Sequence, residues 1–151
     1  MSYWRLYYHL VWATYERAPI IDPDRESVIR DVVAAKAREL RVLIHATGGI
    51  DDHVHAVVSI PPTMAVAECV KRFKGASSRE VDRIVPRATP FKWQDGYGAM
   101  SLGERSLPTV VEYVRNQREH HASRRLLPIF EQTGNDQPAP AYHDGRPGTE
   151  Q

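Results

Sequence analysis

The sequence predicts an α+β fold in which helices cover one antiparallel β-sheet. Three observations predict it: alternating residues typical of strands, apolar residues at the spacing of helices, and the order of these segments. That order is strand, helix, strand, strand, helix, strand, helix. It matches the split βαββαβ arrangement of ferredoxin-like or RRM-like sheets, with an added C-terminal helix that carries a tyrosine.

The first half of the chain has the clearest periodic patterns. Its N-terminal aromatic residues alternate with a period of two, which is typical of a strand. Asp22-Pro23 is typical of a helix start, because aspartate caps the first turn and proline fits within it. Two β-rich segments then flank a glycine-containing turn at residues 48–52. We expect a strand over residues 3–13, a helix over about 23–40, and hairpin strands over 41–47 and 53–60.

The second half predicts two helical regions with short strands between them. Residues 63–74 predict a helix that Gly75 interrupts, and a capping-box pattern at 77–80 would open a short further helix. Two short strands are expected within residues 90–102. The last helix is expected to start near residue 106 and to continue to about residue 125.

Length and composition indicate one soluble domain of residues 1–130 and a disordered tail of residues 131–151. The 151 residues are 42% apolar and 26% charged, which is ordinary for a globular protein. No apolar run reaches the roughly 18–20 residues that span a bilayer, and no signal peptide is recognised. Cys69 is the only cysteine, which excludes an internal disulfide and a multi-cysteine zinc site. We expect a cytoplasmic protein.

Positive charge is concentrated in the middle of the chain, although the net charge is only +1. From Lys71 to Lys92 there are seven basic and two acidic residues, a local charge of +5. A local cluster of this kind can bind a phosphate backbone whatever the total charge is. From charge alone, however, a solvated helix face is the better interpretation.

Two histidines, His53 and His55, are spaced by two on a predicted strand. Residues at this spacing project from the same face, so both imidazoles point the same way. Two adjacent imidazoles make half of a metal site. An isolated pair is more often structural, and the motif alone does not establish a metal site.

Tyr113 and Gln117 form a second motif on the last predicted helix. Residues four apart share a helix face, so these two side chains are neighbours. Taken alone they are typical of a tyrosine packed on a sheet and a glutamine facing solvent. Val110 and Val114 indicate that this part of the helix packs inward, which favours a buried role for the amide.

Together the two motifs resemble the HUH single-tyrosine transposases. This family includes the small insertion-sequence transposases and the REP-associated tyrosine transposases. The resemblance covers residues 3 to 127 and includes further segments in the family's order. These segments are Tyr8-His9-Leu10-Val11-Trp12-Ala13-Thr14, Lys71-Arg72-Phe73-Lys74-Gly75, Trp93-Gln94-Asp95-Gly96-Tyr97-Gly98 and the stretch from Tyr113 to His121.

The resemblance implies a metal-dependent enzyme of DNA transposition that cleaves and rejoins single-stranded DNA through a 5′-phosphotyrosine intermediate. His53, His55 and Gln117 would hold one Mg²⁺ or Mn²⁺ ion, and Tyr113 would attack the scissile phosphate. Ligand chemistry favours manganese, because imidazoles are softer ligands than magnesium prefers. The covalent link conserves the phosphodiester energy, so rejoining would need no ATP.

The resemblance also implies partners. These are single-stranded DNA with hairpin or palindromic ends and a second copy of the chain, in a homodimer whose active sites are shared between subunits. The protein would act in the bacterial cytoplasm at the nucleoid. The residues expected to contact the phosphates of the hairpin are basic and lie in the middle of the chain: Lys71, Arg72, Lys74 and Arg79.

Two alternatives to an insertion-sequence transposase remain. One is a domesticated REP-type endonuclease that nicks palindromes, and the other is a catalytically silent module that binds single-stranded DNA or RNA. Several polar residues near the motifs are interpreted as having no catalytic role: Asp51 and Asp52 as turn residues, His9 and His45 as structural, and His120 and His121 as exposed at a helix end.

Overall fold

The computed structural model describes residues 2–117, which form a four-stranded antiparallel sheet with helices on both faces. The strand order is β2-β3-β1-β4, so the first strand and the second hairpin strand lie in the centre. This architecture confirms the predicted α+β class. The strands are β1 (Tyr7–Ala13), β2 (Leu43–Ile50), β3 (His53–Ser59) and β4 (Gly98–Leu102), and the helices are α1 (Pro23–Leu40), α2 (Val66–Ile84) and α3 (Leu107–Arg115).

The two faces of the sheet bury different sets of side chains, because successive strand residues point to opposite sides. One face, with Leu10, Trp12 and Val58, packs against α1 and α2 and forms the main core. The other face packs against α3 in a smaller cluster. This second cluster consists of Ala46, Val57, Val110, Tyr113 and Val114. The sheet therefore separates a large core from a small layer that holds the tyrosine.

Helix α1 has the limits that the sequence predicts, and its capping explains why. The Asp22 side chain accepts a hydrogen bond from the Arg25 backbone N–H at 2.9 Å, and Pro23 occupies the first turn. At the other end Arg41 adopts a left-handed conformation with φ of 58°, and its N–H donates to helix carbonyls. The predicted helix over residues 23–40 is confirmed.

The predicted turn at residues 48–52 is wrong. Gly48 and Gly49 lie within β2, opposite His55 and Val54 of β3, and the turn contains only Asp51 and Asp52. Adjacent glycines favour turns, which is why the sequence predicts a turn here. The structure instead uses the missing side chain of Gly48 to let a helix approach the sheet closely, as described below.

The first strand is shorter than predicted, because it starts at Tyr7 and not at residue 3. Its pairing with β4 begins at Tyr7 opposite Leu102, and its pairing with β3 begins at Tyr8. Residues 2–6 precede both ladders, and there the aromatic side chains of Tyr3 and Trp4 are exposed. The alternation of residues in the sequence could not show where the partner strands β3 and β4 end, and these ends set the start of β1.

Helix α2 is continuous, and the predicted interruption at Gly75 is wrong. Ser77 does not open a second helix, since its hydroxyl donates to the Phe73 carbonyl at 2.7 Å within the same helix. Val70, Phe73 and Val81 are buried in the main core on either side of the glycine. Burial of this apolar face outweighs the roughly 1 kcal/mol that a helical glycine costs.

Replacing Gly75 with alanine is expected to stabilise the protein by about 0.5–1 kcal/mol, because alanine loses less backbone entropy in a helix. A Cβ at Gly75 would meet no atom within 4 Å. Urea denaturation would measure the change. Gly103→Ala is the matched control, because it also has open space but lies outside any helix. A destabilised Gly75→Ala protein would contradict the continuous helix.

The remaining predictions concern the C-terminal half. Of the two strands expected within residues 90–102, only β4 forms, while Trp93 makes a single bridge to Thr14. The predicted last helix does not run unbroken to residue 125, because α3 ends at Arg115 and Asn116 leaves helical geometry with φ of −97° and ψ of 24°; residues 118–125 lie outside the described residues. The same is true of the tail at 131–151 and of the domain boundary at 130. No helix within residues 2–117 is long and apolar enough to cross a membrane.

Candidate active site

A cluster of buried polar side chains lies between β3, β1 and α3. His53 and His55 come from β3, His9 from β1, and Tyr113 and Gln117 from α3 and the residues that follow it. Each of these five side chains is at most 4% exposed. Burial of so many polar groups is costly unless they are hydrogen-bonded to one another, so the cluster is a built feature and not an accident of packing.

The structure brings the two sequence motifs together within one subunit. The ring centroids of His53 and His55 are 5.0 Å apart, and those of His55 and Tyr113 are 6.1 Å apart at an interplanar angle of 80°. Gln117 Nε2 lies 3.4 Å from His53 Nε2. The tyrosine, the amide and both imidazoles therefore occupy a single site, although the motifs are about 60 residues apart in sequence.

His53 is oriented by the aspartate that precedes it. Its Nδ1 lies 2.6 Å from Asp52 Oδ1, so the ring N–H donates to the carboxylate. An Arg17 guanidinium nitrogen is 4.0 Å from the same oxygen. The interpretation of Asp52 as a residue that only bends the chain is therefore incomplete, because Asp52 also fixes the neighbouring imidazole. With the hydrogen on Nδ1, the lone pair of Nε2 faces the Gln117 amide.

His55 is contacted by His9, a residue for which the sequence predicts only a structural role. His55 Nδ1 lies 2.8 Å from His9 Nε2, and the two ring planes differ by 18°. His9 is opposite Val57 in the β1–β3 ladder, two ladder positions from the pair of Val11 and His55. Only the strand register reveals this contact, although the alternation of β1 already places His9 and Val11 on one face.

Helix α3 approaches β2 closely at Gly48. A Cβ at this position would lie 2.2 Å from the Val114 carbonyl oxygen and 3.3 Å from Gln117 Cβ. Real Cβ atoms do not come so close to a backbone oxygen, so only glycine permits this packing. The guanidinium of Arg115 adds a hydrogen bond to the His45 carbonyl at 3.3 Å. Gly48 thus sets the distance between the sheet and the helix that carries Tyr113.

The donor set fits one divalent ion. Two imidazole nitrogens and an amide oxygen are ligands that Mn²⁺ accepts, and Mg²⁺ accepts the oxygen more readily than the nitrogens. Within residues 2–117 no three histidine, cysteine or acidic side chains converge as an ion site. The third protein ligand would therefore be the Gln117 amide, which already lies beside His53. Histidines that bind a metal ion through Nε2 are usually oriented by a hydrogen bond at Nδ1, and both imidazoles here have a partner at Nδ1.

The four basic candidates do not lie with the histidines. All are on α2, which covers the opposite face of the sheet. Lys71 and Arg79 are exposed, and Arg72 Nε donates to Glu68 at 2.9 Å. Lys74 is partly buried and donates to the carbonyls of Gln94 and Gly96 at 2.6 and 3.0 Å. Burial lowers the pKa of Lys74, and its contacts give it a role in holding the 94–96 loop.

Cys69 is excluded as an alternative nucleophile. It is buried in the main core, on the face of the sheet away from the polar cluster. Burial raises the pKa of its thiol to about 12, so the thiolate is not populated at neutral pH. Among the described residues, Tyr113 is the nucleophilic side chain that contacts an imidazole of the cluster.

Comparison with known proteins places this cluster in a family. A family model described as "Transposase IS200 like" matches residues 2–117, which include every member of the cluster. The chain belongs to the IS200-like transposase family. It is a tyrosine transposase of the HUH single-tyrosine group, an enzyme of DNA transposition. The resemblance that the two motifs carry is thereby confirmed.

Individual relatives of this IS200-like transposase agree with the assignment. The ISDra2 transposase TnpA of Deinococcus radiodurans is 23% identical over 121 residues, covering 77% of this chain and 86% of that protein. A crystal structure of a transposase from Deinococcus radiodurans R1 has a TM-score of 0.62 at 24% identity, covering 78% of this chain and 95% of the other. A REP-associated tyrosine transposase bound to a REP hairpin has a TM-score of 0.60 at 13% identity, covering 80% and 74%. These structures share the fold.

Proposed function

We propose that this IS200-like transposase cleaves and rejoins single-stranded DNA, with Tyr113 as the nucleophile and one Mg²⁺ or Mn²⁺ ion held by His53, His55 and Gln117. The observation that supports the proposal most is the buried contact between Tyr113 and His55, with ring centroids 6.1 Å apart. It supports a nucleophilic role for Tyr113, because the Tyr113 ring lies beside the imidazole pair of the same subunit.

The ion would be held by His53 Nε2, His55 Nε2 and the Gln117 amide oxygen. When bound, it would polarise the scissile phosphate and neutralise charge that develops on the phosphate oxygens. Asp52 contributes by holding the His53 ring through Nδ1. The residues of this chain thus supply ligands whose directions are fixed before DNA arrives, which lowers the cost of organising the site.

The chemical step is a transesterification at phosphorus. The Tyr113 phenol oxygen forms a bond to phosphorus, and the bond from phosphorus to the 3′ oxygen breaks. The 3′ oxygen leaves with the electron pair and takes up a proton, while the phenol loses one. A free phenol has a pKa of about 10, so the site must help to remove its proton. Attack by a 3′-hydroxyl on the phosphotyrosine reverses these changes and rejoins DNA.

The DNA partner in this proposal is a single strand with a hairpin or palindromic end. The REP-associated tyrosine transposase that shares the fold is described as bound to a REP hairpin. In this chain the exposed side chains of Lys71, Arg72 and Arg79 form a basic row on α2 that suits a phosphate backbone. Lys74 would act mainly by ordering the 94–96 loop beside that row.

We propose a homodimer that works in the bacterial cytoplasm at the nucleoid. Within one subunit, the tyrosine and the imidazole pair are already together. Sharing of active sites between subunits would therefore require α3 to leave Gly48 of its own sheet and pack on the sheet of the partner. A domesticated REP-type nuclease is the second candidate, because a REP-associated tyrosine transposase shares the fold with a TM-score of 0.60. Subterminal hairpins in the DNA flanking the gene would favour an insertion-sequence enzyme instead.

The proposed function is tested with labelled single-stranded hairpin DNA, Mn²⁺ and a denaturing gel. The wild-type protein is expected to give a covalent protein–DNA band, and His53→Ala is expected to abolish it while sparing hairpin binding. His45→Ala is the matched control, because His45 is a strand histidine that contacts Ser59 and lies outside the cluster. Hairpin binding by the wild type without any covalent band would support the silent binding module.

Removing charge at Lys71 and Arg72 is expected to weaken hairpin binding and to flatten its salt dependence. The slope of log K against log salt should fall by about 0.7 for each lost phosphate contact. Fluorescence anisotropy at several salt concentrations would measure it for Lys71→Gln and Arg72→Gln. Lys36→Gln on α1 is the control, since that lysine pairs with Glu39 in a different helix. An unchanged slope in both α2 variants would remove the basic row from the DNA surface.

A further inference from the structure

The contact between His9 and His55 resembles the contact between Asp52 and His53. In both cases Nδ1 of a β3 imidazole lies within hydrogen-bond distance of a side chain that is not a proposed ligand, at 2.8 Å for His9 and 2.6 Å for Asp52. His9 is fully buried in the centre of the sheet. Each imidazole of the proposed ion site therefore has its own partner on the side away from the ion.

The protonation pattern follows from the geometry. A neutral imidazole carries one hydrogen, and a nitrogen that binds an ion must present a lone pair. If His55 binds through Nε2, its hydrogen is on Nδ1 and donates to His9 Nε2. His9 then carries its own hydrogen on Nδ1. Its Nε2 faces His55 Nδ1 at 2.8 Å and is therefore directed at the ligand and not at the ion.

We propose that His9 is a positioning residue that fixes the tautomer and the ring orientation of His55. This inference rests on the proposed function, because the ion site gives the fixed tautomer its purpose. An apolar side chain at position 9 could fill the same volume beside Val57, but it could not accept the hydrogen from His55. Partners of this kind support metal affinity by raising ligand basicity and by preventing ring rotation.

The experiment compares variants at position 9 by Mn²⁺ binding to the full chain without DNA, with free Mn²⁺ followed by electron paramagnetic resonance. His9→Phe keeps a ring but removes the acceptor, and we expect Mn²⁺ affinity to fall by about 10- to 100-fold. His9→Gln places an amide oxygen near the position of Nε2 and is expected to restore most of the affinity. His9→Asn has the same polarity but is too short, and should bind like His9→Phe.

A second measurement reads the tautomer directly. Histidine ¹⁵N chemical shifts are expected to show His55 as the Nδ1–H tautomer in the wild type and in His9→Gln, and as a mixture in His9→Phe. Loss of packing alone would not produce this pattern. Thermal melting identifies any variant that does not fold. If His9→Phe does not fold, the comparison of His9→Gln with His9→Asn decides whether His9 positions His55.

The outcomes separate this inference from the proposed function. Wild-type affinity in a folded His9→Phe, or equal affinity in the Gln and Asn variants, would overturn the role of His9 and leave the ion site intact. Absence of Mn²⁺ binding in the wild type would overturn the ion site. In that case the ¹⁵N shifts still decide whether His9 sets the His55 tautomer, since unchanged shifts in His9→Phe would refute it.

Discussion

Replacing Tyr113 with phenylalanine is expected to abolish the covalent protein–DNA product, with cleavage reduced by about 10⁴-fold or more because the attacking oxygen is lost. The aromatic ring remains, so its edge contact with His55 and its packing beside Val57 and Val110 are kept. The free energy of unfolding should change by no more than about 1–2 kcal/mol, the usual range for one buried hydroxyl. Hairpin binding should be unchanged.

The measurement is the denaturing gel with labelled hairpin DNA, followed by mass spectrometry of the adduct. Tyr15→Phe is the matched control, because it removes one hydroxyl from a tyrosine that is exposed and lies outside the cluster. The adduct is expected on the peptide that contains Tyr113. A covalent band that persists in Tyr113→Phe, or maps to another tyrosine, would show that the nucleophile is misassigned.

Replacing Gly48 with alanine is expected to impair cleavage from a position that carries no reactive group. The new Cβ would lie 2.2 Å from the Val114 carbonyl, so α3 must move away from β2. Overpacking of this kind costs about 1–3 kcal/mol of stability. Because Tyr113 and Gln117 move with the helix, a displacement of about 1 Å should lower cleavage by roughly 100-fold.

Gly49→Ala is the matched control for this prediction. The neighbouring glycine faces the other side of the sheet, where a Cβ would make only ordinary contact with Val54 Cγ2 at 3.4 Å. Urea denaturation and the cleavage gel would be run on both variants. Equal stability and equal cleavage for the Gly48 and Gly49 variants would show that close packing of α3 on β2 does not position the nucleophile.

The sequence predicted the residues of the candidate site because most of them lie on regular elements. A spacing of two on a strand placed His53 and His55 on one face, and a spacing of four placed Tyr113 beside Gln117. Only the family resemblance predicted that the histidine pair and the Tyr113–Gln117 pair lie close together. The spacing within each motif contains no information about the distance between the motifs. Local periodicity therefore predicts which side chains are neighbours within each motif, but it does not predict the contact between the two motifs.

The residues that sequence reasoning missed act through register or through close approach. The partnership of His9 with His55 depends on the alignment of β1 with β3, which no local pattern encodes. The role of Gly48 depends on where α3 packs, which the local sequence does not encode, so the sequence predicts a turn at this glycine. Gly75 predicts an interruption of the helix, but burial of Phe73 and Val81 keeps α2 continuous.

Tyr113 lies in the last turn of α3 and Gln117 lies two residues beyond its end, and this placement has a mechanical consequence. Helix α3 has nine residues and contributes three side chains to the small buried layer, so a modest opening free energy would detach it. Detachment would withdraw the proposed nucleophile Tyr113 and the proposed ligand Gln117 in a single movement. Ion occupancy and nucleophile alignment would then be thermodynamically linked, each favouring the other by the same amount. A partly assembled site, able to bind an ion but not to cut, would be rare.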